Sequence, residues 1–172
     1  VLEDWEHARG RGARPYAELL SSGLSTDAFH VTSPHPGADG VIRAITDSLA
    51  RAGLPAGDVG YVNAHGTGTA QNDRTEALAL AKVFGTAGLL MSANKSLIGH
   101  AMAAAGTLEA VATVLTLRHG VIPPTANLDH PDPEIPFDCV PHTARPASVR
   151  VAMSNSFGFG GQNVSLIFRR WE

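Results

Sequence analysis

Residues 58–69 read "DVGYVNAHGTGT". The first seven form an apolar run of strand length, and the run delivers His65 to a Gly66-Thr67-Gly68-Thr69 turn. A buried strand that ends on a histidine and a Gly-rich turn predicts the carboxyl edge of an α/β sheet, where such folds bind ligands. The two glycines allow close backbone approach. Thr67 and Thr69 put two hydroxyls into the same crevice. Taken alone, His65 reads equally well as a loop histidine satisfied by its neighbours.

Outward from this stretch, the segments alternate. "RPYAELLS" (14–21) predicts a strand and 22–39 a long irregular loop with two histidines, His30 and His35. "GVIRAITDSLARA" (40–52) carries apolar residues at helical spacing, and Gly53 stops it. "DRTEALALAKVF" (73–84) predicts a helix with acidic residues in its first turn, favourable to the helix dipole. "GLLMS" (88–92) reads as a short buried strand. Residues 101–118 are Ala-rich and apolar nearly all round, which predicts a helix buried on most sides. Residues 119–148 hold seven of the eleven prolines and predict an extended crossing. "RVAMS" (150–154) and "NVSLIFR" (163–169) read as strands that pair as an antiparallel hairpin. The order β, α, β, α, β, α, β, β predicts an α/β layered domain with a partly parallel sheet.

At 172 residues the chain is long enough for one domain with its own core. Charged residues are 17%, below the roughly 25% of ordinary soluble domains. That predicts a large surface buried against something else. A net charge of −3 gives no electrostatic case for nucleic acid. No apolar run reaches membrane-span length. A single cysteine, Cys139, excludes an internal disulfide and makes the cytoplasm the expected compartment. The opening "VLEDWEHARGRG" has acidic residues and no apolar core of a signal peptide, and the expectation is a chain that begins inside a longer protein.

Two further clusters could carry chemistry. In "NKSLIGHAMAAAG" (94–106), Lys95 and His100 flank a short loop after the third strand, and Glu109 lies close enough along the following helix to reach back to Lys95. A lysine beside a histidine holds the ring neutral by charge repulsion, so that it can donate a hydrogen bond without becoming imidazolium. In "NSFGFGGQN" (155–163), Phe157, Gly158, Phe159 and Gly160 alternate aromatic and glycine in a turn whose N–H groups could form an oxyanion hole. A plain hairpin turn has no need of two phenylalanines. Four further histidines, His30, His35, His130 and His142, have no metal-site spacing, so no metal is expected. Cys139, in "PFDCVPH", has no basic neighbour or helix start to activate it and reads as a small apolar side chain.

Together "VNAHGTGT", "NKSLIGHAMAAAG", "PPTANLDHPDPE" and "NSFGFGG" closely resemble the carboxyl-terminal half of β-ketoacyl synthases, of the synthase II and type II polyketide ketosynthase kind. The resemblance runs over essentially the whole chain. It implies the thiolase-like fold, an α/β/α/β/α stack of two similar halves of which this chain supplies the second. By the same resemblance the reaction is a decarboxylative Claisen condensation. A cysteine takes the acyl chain from acyl carrier protein, two histidines assist decarboxylation of malonyl-ACP, and the carbanion attacks the thioester. His65 and His100 match the histidines. Lys95 supports His100, and Glu109 holds Lys95. Thr67 and Thr69 match threonines on the pantetheine arm. Phe159 matches the gating phenylalanine whose N–H joins the oxyanion hole, with Phe157 beside it.

The family's nucleophilic cysteine lies in the first half, and nothing here replaces it. The expected partners are therefore a chain or segment carrying that cysteine, acyl carrier protein, and a second synthase or a chain-length factor in a dimer. No dissociable cofactor is expected, since the substrates ride on the carrier's phosphopantetheine. Arg9, Arg11, Arg14 and Arg43 are candidates for docking the acidic carrier. Two alternatives stand beside this reading. One is a non-catalytic chain-length-factor-like subunit, which would lose the histidines. The other is a thiolase-type enzyme acting on coenzyme A esters, which would carry a second cysteine near the end of the chain.

Overall fold

An interior strand, Tyr61–Asn63, anchors the computed structural model, which describes residues 1–172; all three of its residues are buried. In chain order the elements are α1 (Trp5–Gly10), β1 (Ala17–Thr26), α2 (Asp39–Ala52), β2 (Tyr61–Asn63), α3 (Ala70–Phe84), β3 (Leu90–Ser92), α4 (Lys95–Ile98), α5 (Ala105–His119), β4 (Val121–Ile122), β5 (Arg145–Pro146), β6 (Val151–Gly158) and β7 (Gln162–Arg170). Five strands form one mixed sheet in the order β1-β7-β6-β2-β3. β2 runs parallel to both β3 and β6, while β7 runs antiparallel to β6 and β1. The predicted alternation and the closing hairpin are both present.

Strand periodicity explains the layers. Side chains alternate across a sheet, so Val62, Met153 and Ile167 join α2 and α3 in one core. Their neighbours Tyr61, Ala152 and Phe168 pack with Leu117 of α5 and Ile122 of β4 in another. The sheet is therefore covered on both faces. That is why β2 reads as a continuous apolar run rather than an alternating one. α2 buries Val41, Ala44, Ile45, Ser48 and Leu49, one stripe at helical spacing. It ends at Gly53 in the left-handed conformation, φ +65°.

Several expectations need correction. The first strand runs to Thr26, so the loop predicted over 22–39 begins only at 27. "SSGLST" has weak strand propensity, and its conformation is imposed by pairing with β7 from Ala17↔Arg170 to Thr26↔Gln162. α1 was not expected; Asp4 caps it by accepting the N–H groups of Glu6 and His7. Its Trp5 ring meets Trp171 at 4.6 Å. The Pro-rich crossing holds the short β4–β5 ribbon.

The predicted 101–118 helix starts at Ala105 and is not buried on most sides. α5 turns Glu109, Thr113 and Thr116 inward and leaves Leu108, Val111 and Leu115 exposed. The polar inward face is tolerated because Thr113 and Thr116 donate to the helix's own carbonyls of Glu109 and Ala112. Glu109 turns inward toward a lysine.

Candidate active site

The carboxyl ends of β2, β3 and β6 lie side by side, and short polar bonds lock them together. Asn94 donates to the Asn63 carbonyl oxygen Oδ1 at 2.6 Å, and Asn63 donates to Ser154 Oγ at 3.1 Å. His65 leaves β2 at this junction and is 6% exposed. The turn after it needs glycine: Gly66 has φ +43°, and a Cβ there would fall 2.6 Å from the Cβ of Ala93. Thr67, half-buried, and Thr69, exposed, follow it with their hydroxyls 2.8 Å apart.

Lys95 opens α4, the four-residue helix formed where a loop was expected. It is buried and donates three bonds, to His65 Nδ1 (3.2 Å), to the His65 carbonyl oxygen (2.5 Å) and to Glu109 Oε1 (2.5 Å). An ammonium has three donors and no acceptor, so all three are used and Nδ1 of His65 must accept. The proton of the neutral ring then sits on Nε2, as assigned from these bonds. The expected Lys95–Glu109 reach is present. The lysine's hydrogen bonds go to His65, not to His100 as anticipated. The physical reason is that α4 turns the lysine inward beneath the His65 backbone, whereas His100 follows the helix end and stays exposed.

Burial, then Lys95, then His100 push the His65 imidazole down to about 3, so it is neutral at physiological pH. Burial raises the Glu109 carboxyl and Lys95 opposes that rise. Its Oε2 is buried without a hydrogen-bond partner.

His100 presents its ring edge-on to that of His65, with centroids 5.8 Å apart and planes at 86°. Its Nδ1 accepts the Met102 N–H at 3.1 Å, so the proton of its neutral ring also belongs on Nε2. From the other side Phe157, on β6, sets its ring 5.4 Å from His65. Gly158 ends that strand, and Phe159 stands out at the turn, 77% exposed.

The turn offers fewer free donors than its sequence suggested. Gly160, at φ +85°, donates to Val31 at 2.7 Å, and Gly161 donates to Gly158 at 3.1 Å. These two are taken because residue 31 of the preceding loop lies against the hairpin. Phe159 N–H is the one left without a backbone partner.

Two site residues escaped the sequence reading. Glu76 of α3 is 2% exposed, and its carboxylate accepts the N–H groups of His65 and Gly66, each at 3.0 Å. Burial pushes it up to about 7. The available signal was an acid on the helix's buried stripe, beside Ala77 and Leu80. Asn155, fully buried, donates to the same carboxylate at 3.1 Å. Of the docking candidates, Arg11 is paired with Glu3 at 2.6 Å and Arg43 donates to the Thr26 carbonyl. Cys139 is partly buried, with its thiol pushed up to about 11 chiefly by burial. No helix is long and apolar enough to cross a membrane.

A family model described as "Beta-ketoacyl synthase, C-terminal domain" matches residues 16–129. The 3-oxoacyl-[acyl-carrier-protein] synthase 2 of Rhizobium meliloti (strain 1021) is 49% identical over 173 residues, 99% of this chain and 41% of that protein. Among solved structures, the ishigamide ketosynthase/chain length factor superposes with a TM-score of 0.95 at 44% identity, over 99% of this chain and 42% of that one. A type II polyketide acyl-carrier protein in complex with its ketosynthase bound to the hexaketide gives 0.95 at 34% identity, with the same coverages. The chain thus spans about two fifths of the length of the relatives it matches.

Proposed function

The chain belongs to the β-ketoacyl synthase C-terminal domain family, with the thiolase-type fold, and on that premise we propose that it supplies the decarboxylating part of a 3-oxoacyl-ACP synthase active site. The observation that carries the reading is the Lys95–His65 contact. It keeps His65 neutral and leaves Nε2–H as a donor. The His100 ring stands edge-on to that of His65, with centroids 5.8 Å apart, and Nε2 is likewise the nitrogen left as its donor.

In this reading the thioester carbonyl of malonyl-ACP sits between them. Loss of carbon dioxide leaves its bonding pair on the α-carbon, delocalised to the thioester oxygen, and the two N–H groups stabilise that enolate. The carbanion then attacks the acyl thioester held on a cysteine. The Phe159 N–H is placed in the oxyanion hole for the tetrahedral intermediate, and the thiolate leaves. Decarboxylation drives the bond formation, so no dissociable cofactor enters. Thr67 and Thr69 hold the pantetheine arm, and the reaction belongs to the cytoplasm.

The cysteine comes from a further portion of the synthase, which covers the apolar surface of α4 and α5. Leu97, Ile98, Met102, Leu108, Val111 and Leu115 are exposed there, and a patch of this kind marks an interaction site. Acyl carrier protein and a second synthase or chain-length factor complete the assembly. A non-catalytic role is disfavoured by the intact His65, Lys95 and His100 set.

The test is malonyl-ACP decarboxylation by the complete synthase containing this chain. Wild type should release carbon dioxide, and His65→Ala and His100→Ala should each lower the rate by at least about a hundredfold. Equal rates for wild type and both variants would overturn the proposal.

A further inference from the structure

The side of the site opposite Lys95 is also built from buried polar groups. Glu76 takes the His65 N–H on Oε1 and the Gly66 N–H on Oε2. Oε1 is shared with the side-chain amide of Asn155 at 3.1 Å, and Asn155 Oδ1 in turn accepts the Ser165 hydroxyl at 2.8 Å. Asn155, Ser165 and Glu76 are each no more than 2% exposed. A relay of this kind has one geometry in which every member is satisfied.

Asn155 stands two residues before Phe157 on β6, so both side chains emerge on the same face. One of them reaches the His65 backbone through Glu76, and the other touches the His65 ring. The strand that leads into the Phe159 turn therefore grips the histidine at two points. From this geometry we infer that Asn155 is a positioning residue for His65, acting through Glu76, and that it ties the placement of the β6–β7 turn to that of the histidine.

The Asn155 side chain hydrogen-bonds Glu76 and Ser165 and neither histidine ring, and its amide adds no proton to the reaction. Its contribution is orientation. Without it, Glu76 Oε1 loses the donor that fixes its plane, and the His65–Gly66 peptide pair loses a fixed acceptor. Substrate binding through the pantetheine arm involves other residues, so the effect belongs on kcat rather than KM.

The inference rests on the proposed decarboxylation, and its test is arranged so that the two can fail separately. Asn155→Ala, Glu76→Gln and the double variant are compared with wild type in the complete synthase. Three quantities are followed: the decarboxylation constants, the melting temperature, and the His65 imidazole resonances in ¹⁵N-histidine-labelled protein. The expected result is a displaced His65 resonance in Asn155→Ala and a fall in kcat of about tenfold to a hundredfold with KM nearly unchanged. The double variant should be no slower than Glu76→Gln, because coupled residues are not additive. An unmoved His65 resonance, or losses that multiply in the double variant, would overturn the inference. Inactive wild type would sink the functional proposal instead, and the His65 resonances would still decide the role of Asn155.

Discussion

Lys95 shows how much one side chain can settle. Its three donors fix a tautomer, a backbone carbonyl and a buried carboxylate at once. Removing its charge should therefore show first on the histidine. In Lys95→Ala the His65 imidazole should titrate at a higher pH than in wild type, as followed by NMR, because a repulsive cation is gone. Glu109→Ala leaves that cation buried without its counter-ion. The expected cost is about 3–5 kcal/mol, the range for breaking a buried pair, read as a lower urea midpoint. Lys95, Glu109, His65 and His100 were all legible in the sequence because short motifs carry them. That Lys95 turns to His65 was not, since it depends on α4, a helix too short to leave a periodic trace.

Where β2 meets α3, two ionisable groups oppose each other's effect on stability. His65 is lowered on folding, so the unfolded chain binds its proton more readily, and stability falls as pH drops below 6.5 towards about 3. Glu76 is raised to about 7, so the folded chain binds its proton more readily. Stability falls as pH climbs from 4.5 through about 7. Between pH 4.5 and 6.5 the two slopes oppose. His65→Asn should steepen the loss of stability with rising pH in that window, and Glu76→Gln should make stability rise with pH. Denaturant midpoints across pH check both signs.

The element boundaries divide along similar lines. α2 and β2 could be read directly because their burial follows one period. β1 could not, because half of it is Ser, Gly and Thr held straight by a partner strand that lies far along the chain, from Ala17↔Arg170 to Thr26↔Gln162. α5 misled in a different way: Leu108, Val111 and Leu115 point outward while Leu117 points in, and hydrophobicity alone cannot tell which side of a helix faces its own domain.

At the scale of the whole molecule, the exposed row on α4 and α5 is the surface that the proposed further portion of a synthase would cover. Leu108 and Val111 contribute little to the chain's own core, being 45% and 53% exposed. Replacing both with glutamine should leave the melting temperature of this chain within a few degrees while weakening its association with the rest of the synthase. Calorimetry and sedimentation measure the two separately. A large drop in melting temperature would show that the row belongs to the core after all.

The parallel pairing of β2 with β6 also sets a timetable. Asn63 and Ser154, whose side chains meet at the site, are 91 residues apart. No hairpin can join parallel neighbours, so the chain must close that long loop before the contact rewards it. The expected outcome is slow refolding, with the near-neighbour β6–β7 hairpin protected from amide exchange before the β2–β6 pair, as pulsed hydrogen exchange would check. Until then, the same strand edges and the bare helix face are presented together to whatever other chain is nearby.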